Sequence, residues 1–119
     1  MAVGVYRLSK LATSDIFEIL ETTGQLFGPQ QQERYYELFL RAAELIADNP
    51  SCLGSRDRSD LSPGMRSIHM DIPAKRRGAA AHILFYRPMK PGTAEAGVLI
   101  ARVLHEHMDH ERHLMSDLS

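Results

Sequence analysis

Apolar and polar positions along this chain change their period twice. Residues 3–9 alternate, with Val3, Val5 and Arg7 on one side and Gly4, Tyr6 and Leu8 on the other, which predicts a strand. From Ala12 onward the apolar positions follow a helical stripe: Ala12, Ile16, Ile19, Leu20 and Thr23. Ser9 stands just ahead, where its hydroxyl can accept a hydrogen bond from a free amide of the first turn. This helix should end near residues 24–27. Gly28-Pro29 is a restart, because proline at a first helical position gives up no hydrogen bond and its φ is already helical. A second stripe, Tyr36, Phe39, Leu40, Ala43, Ile46 and Ala47, runs to about Asp48. Its wet side carries Glu33, Glu37, Arg41, Glu44 and Asp48, with Glu37 and Arg41 four apart in the favourable order. Asn49-Pro50 stops the helix, since the residue before proline avoids the α region. Two helices joined so closely predict an antiparallel hairpin.

Residues 51–64 are loop by composition. After them the period falls to two: Arg66, Ile68, Met70 and Ile72 alternate with Ser67, His69 and Asp71, and residues 81–87 and 98–104 form two further runs. Segments 73–78 and 88–97 carry proline and glycine and suit long hairpin loops. The order is β-α-α-β-β-β. It predicts an α+β fold in which a helical hairpin packs on one face of a mostly antiparallel sheet. A chain of 119 residues fits a single domain spanning 1–119, with a short histidine-rich tail from about residue 106.

Composition narrows the class. Apolar residues make up 44% and charged residues 24%, which excludes disorder as the default. No apolar run approaches the ~20 residues of a bilayer-spanning helix. The opening MAVGVYRLSK shows no secretory pattern, and the single cysteine, Cys52, excludes an internal disulfide. The expectation is a cytoplasmic protein. The net charge of −1 hides an asymmetry: residues 1–50 sum to −3, residues 51–105 to +5 and residues 106–119 to −3. The positive middle suits an acidic partner peptide or a phosphate backbone.

No glycine-rich phosphate loop, paired-cysteine zinc site or G-x-S-x-G elbow is present. Cys52 would need a histidine brought close by folding to act as a nucleophile, and an incidental loop thiol is the simpler reading. His107, His110 and His113 would share a face of a helical tail and suit zinc or nickel. Asp109 stands where a second histidine would complete H-E-x-x-H, so no metal or other cofactor is expected. Arg66, Arg87 and Arg102 lie in or at the end of three separate strands. Facing one way, they would form an anion-binding cluster joined by His82 and His105, and salt bridging on the sheet surface is the plainer reading. Lys75, Arg76 and Arg77 before Gly78 make a basic hairpin tip, read as a solvated turn.

Taken in order, these segments resemble a known family. Tyr6-Arg7-Leu8-Ser9, Ala12, Asp15-Ile16 and Ile19 are followed by Phe27-Gly28, Tyr36, Leu40 and the Ala47 to Pro50 helix end. Gly64-Met65-Arg66, then His82-Ile83-Leu84-Phe85-Tyr86-Arg87, then Ile100-Ala101-Arg102-Val103-Leu104-His105, Met108-Asp109 and Arg112-His113-Leu114 continue the set. The chain is similar, over about residues 6–114, to the ParE branch of the RelE/ParE superfamily, the toxins of type II toxin–antitoxin modules. The resemblance implies the β-α-α-β-β-β fold, a ParD-like antitoxin as partner, and inhibition of DNA gyrase by direct binding. Taken with the strand arginines above, it leaves Arg66, Arg87, Arg102 and His105 as target-binding candidates. RelE-like relatives instead cut messenger RNA on the ribosome, and that reaction would fall to Arg66, Arg102 and His105. Glu106 follows His105 where an aromatic is typical of those nucleases, and their lysine-rich second-helix end is absent, which favours the gyrase-directed branch. A toxin retained only as an antitoxin-binding module is a third reading, prompted by the mildly acidic charge and the long loops at 73–78 and 88–97.

Overall fold

Ser9 both starts the first helix and extends the sheet, and most of the architecture follows from that double use. The computed structural model describes residues 5–89, 97–108, 110 and 112–114. The chain runs β1 (Val5–Leu8), α1 (Lys10–Phe27), α2 (Pro29–Asp48), β2 (Arg56–Asp57), β3 (Arg66–His69), β4 (His82–Pro88) and β5 (Gly97–His105). Val3, Gly4, most of the 88–97 loop, Asp109 and residues 115–119 of the predicted tail lie outside the described residues.

Ser9 is extended, and its hydroxyl accepts from the Ala12 amide at 3.0 Å, capping α1. Gly28 ends α1 and begins α2. Its φ of 90° lies in the region glycine tolerates, its amide donates to the Gly24 carbonyl, and Pro29 takes the first position of α2. The Gln32 side chain ties the hairpin by donating to the Leu20 carbonyl at 3.0 Å. Asn49, extended, ends α2 before Pro50, as the sequence predicts.

The sheet order is β1-β5-β4-β3-β2. All pairings are antiparallel except β1 with β5, the two strands drawn from opposite ends of the chain. Three features depart from the sequence reading. β3 ends at His69, and residues 70–72 of its alternating run are turns. β2 is a two-residue strand inside the segment read as loop; it has no period of its own and exists because Arg56 and Asp57 pair with Ser67 and Arg66. β5 also does not alternate throughout: Phe85 pairs with Arg102 but Tyr86 with Ile100, so Ala101 is an extra residue and the strand is bulged. Val98 and Ile100 before the bulge, and Val103 after it, join the helix-side core, while Ala101 and Leu104 turn to the other face.

The helix-side core joins Ala12 and Ile16 of α1 and Phe39, Ala42, Ala43, Ile46 and Ala47 of α2 to Ile68, Leu84, Tyr86, Val98, Ile100 and Val103 of the sheet. The stripe of α2 is turned slightly from its predicted setting: Tyr36 is exposed and Ala42 is buried. The opposite sheet face is filled as well. Phe85, Ala101 and Leu104 are covered there by Leu61, Met65 and Leu114. β1 reaches along β5 only as far as Ile100. Beyond it the edge of β5 is completed by α1: the Ser9 amide donates to the Ile100 carbonyl, the Ser9 hydroxyl donates to the Ala101 carbonyl at 2.7 Å, and the Val103 amide donates to Asp15 at 3.0 Å.

Candidate functional site

A concavity of about 1040 Å³ lies between the helical hairpin and the segment joining β3 to β4. The second half of α1 gives it Ile19, Thr23, Leu26 and Phe27, and α2 gives it Arg34, Tyr35 and Leu38. Ala79, Ala80, His82 and His105 close the opposite side, with Arg76 at the rim. Leu26 and Phe27 are 69% and 68% exposed, an unusual state for two adjacent large apolar side chains. They sit at the hairpin tip because Gly28-Pro29 forces the turn directly after them. The groove is mainly apolar, with Arg34 and Arg76 as cations and Glu18 as an anion in its lining. Those dimensions and that chemistry fit a polypeptide segment with apolar anchors.

The polar end of the groove is locked. The Ala81 amide donates to the Tyr35 hydroxyl at 3.1 Å, and that hydroxyl is hydrogen-bonded to His82 Nδ1 at 2.6 Å. Burial, reinforced by the neighbouring His105, lowers the His82 pKa to about 4, so this ring is neutral. Burial likewise raises the Tyr35 pKa and keeps its proton in place. His105 packs edge-on against His82 at 5.3 Å between ring centres, and its Nδ1 accepts the His107 amide at 3.1 Å. The Nδ1 atom of each ring is thus engaged in a hydrogen bond.

The arginines foreseen from the sequence are held apart. Arg66 of β3 donates to the Ser55 hydroxyl at 2.8 Å, beside the loop that follows α2. Arg102 of β5 meets Asp15 of α1 through two bonds of 2.7 and 2.8 Å. Arg87 follows the core residue Tyr86, so alternation turns it to the opposite sheet face, where its buried Nε has no hydrogen-bond acceptor among the described residues. Arg66 is level with Tyr86, four residues along β4 from His82, the register partner of His105, or about 13 Å along the strand. Arg66, Arg102 and His105 therefore do not converge on one reacting atom.

The other candidates are also placed. Cys52 is buried and its thiol pKa is pushed up by that burial, the reverse of an activated thiolate. His107 is exposed, while His110 packs on the Phe85 ring and hydrogen-bonds the His105 carbonyl at 2.8 Å. Among the described residues no group of three or more His, Cys, Asp or Glu side chains is arranged to hold a metal ion. No helix among them is long and apolar enough to cross a membrane. Tyr35, Arg34 and the Leu26-Phe27 tip were not singled out by sequence reasoning. The signal available for them was two large apolar residues directly before a Gly-Pro turn.

A helical hairpin packed on one face of a small, mostly antiparallel sheet, with a mainly apolar groove beside it, defines an α+β protein. Comparison with known proteins gives the family. Residues 6–110 match the model of the ParE toxin of type II toxin–antitoxin systems. Toxin ParE1 of Mycobacterium tuberculosis strain H37Rv is 32% identical over 109 residues, which cover 92% of this chain and 96% of that protein. Toxin ParE1 of Caulobacter vibrioides is 31% identical over the same coverage. A solved chain described as part of a chromosomal ParDE system from P. aeruginosa shares the fold with a TM-score of 0.62 at 14% identity, covering 87% of this chain and 96% of that one. The chain belongs to the ParE toxin family.

Proposed function

We propose that this protein stops DNA gyrase by surface contact and is neutralised by a cognate ParD-like antitoxin, in the cytoplasm and without covalent chemistry of its own. The observation that carries this reading is the groove beside the helical hairpin. Its apolar stripe, ending in the exposed Leu26 and Phe27, suits the apolar side chains of an antitoxin segment, with Arg34 and Arg76 matched to acidic residues at its margin. The separation of Arg66 from His105 and the hydrogen bonds that engage Nδ1 of His82 and His105 speak against acid–base cleavage of RNA. In this reading His105 and Arg87 meet partners from the two sides of the sheet, and Arg66 and Arg102 hold the surfaces that do so.

The test is expression of the chain alone and together with the neighbouring gene product, with growth, plasmid supercoiling and messenger RNA integrity followed in parallel. Growth arrest with altered supercoiling, relieved by co-expression, is expected. Cleaved messenger RNA in a translating extract would replace gyrase with the ribosome as target. Unimpeded growth without the neighbouring product would reduce the protein to an antitoxin-binding module.

A further inference from the structure

A second cleft, about 490 Å³, lies on the sheet face away from the helices and is walled by cations. One wall is the segment 70–79, a chain of turns fixed by its own backbone. The Ile72 amide donates to the His69 carbonyl, the Lys75 amide to the Ile72 carbonyl, the Ala79 amide to the Arg76 carbonyl and the Gly78 amide to the Asp71 carboxylate. Lys75 holds a φ of 55° and Gly78 one of 83°, both left-handed. At the root, His69 lies 2.9 Å from Asp71 Oδ1 and 2.6 Å from Glu106 Oε2, fastening the segment to the chain just beyond β5. From this rigid support Lys75, Arg76 and Arg77 stand out exposed.

The facing wall is the other sheet edge. Alternation turns Arg56 of β2 to the same side as Ser67 and Ile83, which floor the cleft, and turns Asp57 with its register partner Arg66 to the helix side. The nearby carboxylates are engaged: Asp60 with Arg58, and Asp71 with His69 and Gly78. Among the described residues Arg56, Lys75, Arg76 and Arg77 have no carboxylate partner. Four uncompensated positive charges thus surround one opening on a chain whose net charge is −1.

We propose that this cleft docks the phosphate backbone of duplex DNA, on a surface that touches the antitoxin groove only at Arg76. Proteins that hold single strands stack bases on exposed aromatic rings. Here the rings are Phe85, buried beneath Arg58, and His69, held between two carboxylates. A peptide would need apolar anchor pockets, and those lie in the other groove. What remains is a set of fixed charges, which reads phosphates and not base edges.

The test is fluorescence anisotropy of a labelled duplex of about 20 base pairs with the purified protein between 50 and 200 mM salt. Four phosphate contacts give a log–log salt slope of about −3.6, so affinity should fall about 150-fold over that range. The triple variant K75E/R76E/R77E should keep its melting temperature and lose duplex binding at 50 mM salt. On the opposite wall, Arg56→Ala should flatten the slope by about one unit. An unchanged duplex affinity in both variants would overturn the proposal. So would tighter binding of a single-stranded RNA of equal length, or equal binding of a poly-glutamate peptide. The measurement contains no gyrase and no antitoxin, so its outcome is independent of toxicity.

Discussion

Asp15 and Arg102, 87 residues apart in sequence, form a two-bond ion pair in which the same carboxylate also accepts the Val103 amide. Their side chains are only 14% and 11% exposed. The pair stands where β1 has ended and β5 would otherwise present an open edge, so it substitutes for a strand. Breaking one partner leaves a charge and a backbone amide without their bonds in a water-poor place. Asp15→Ala and Arg102→Ala should each cost about 3–5 kcal/mol in urea unfolding. The double variant should cost clearly less than their sum. If Arg102→Ala left stability untouched while abolishing toxicity, Arg102 would be a contact with the target and not a part of the frame.

His105 gives the complementary case. A nuclease losing its general base falls in rate by about 10²–10⁴-fold. A contact inhibitor losing one ring from a broad surface changes far less. His105→Ala should therefore remain toxic, with messenger RNA intact in a translating extract. An RNA-cleaving wild type and an inactive, folded His105→Ala protein would contradict this.

The buried His82 should make stability depend on pH. Its folded pKa, about 4, lies below the ordinary 6.5, so the unfolded chain takes up a proton that the folded chain refuses. The contribution is complete above about pH 6.5 and is lost as pH falls from there toward 4. Thermal melting across that window should show wild type losing stability more steeply than His82→Gln. Parallel curves would mean that the ring titrates normally in the folded protein.

At Gly97 the limit is space. A Cβ there would meet the Val5 carbonyl oxygen at 2.6 Å, with Met89 and the Val5 side chain at 2.8 and 2.9 Å. Gly97→Ala must push β1 away from β5, at a cost of about 1–3 kcal/mol. Denaturant unfolding measures this, and a neutral result would show that β1 yields freely.

Leu26→Ser with Phe27→Ser addresses the groove. Because both residues are exposed, stability should move by about 0.5 kcal/mol or less for each. Affinity for the antitoxin, measured by calorimetry, should fall by about 2 kcal/mol or more if these side chains are anchors. Equal affinity would move the antitoxin to another surface.

The sequence exposes the helical hairpin because each of its boundaries has a local cause: the Ser9 hydroxyl, the Gly28-Pro29 turn and Asn49-Pro50. The main strands are equally legible from their alternation. What escapes is decided at a distance. Arg56 and Asp57 become a strand only through Ser67 and Arg66. The bulge at Ala101 changes which face Val103 takes, and nothing within residues 98–104 announces it. The arginines read as one cluster because each lay in a strand. Their partners, Asp15 for Arg102 and Ser55 for Arg66, come from segments that spacing within a strand cannot reveal. The groove was missed for the same reason: Tyr35 and His82, 47 residues apart, acquire meaning only as a pair.

The parallel pairing of β1 with β5 has a consequence for how the molecule is born. Val5 lies opposite Gly97, so the first strand waits for about ninety further residues before its neighbour exists. At translation rates of about 5–20 residues per second, that wait is about 5–20 seconds. The Asp15 carboxylate waits equally long for Arg102. A nascent chain therefore displays Leu26, Phe27 and the helix-side apolar stripe before it holds a finished sheet.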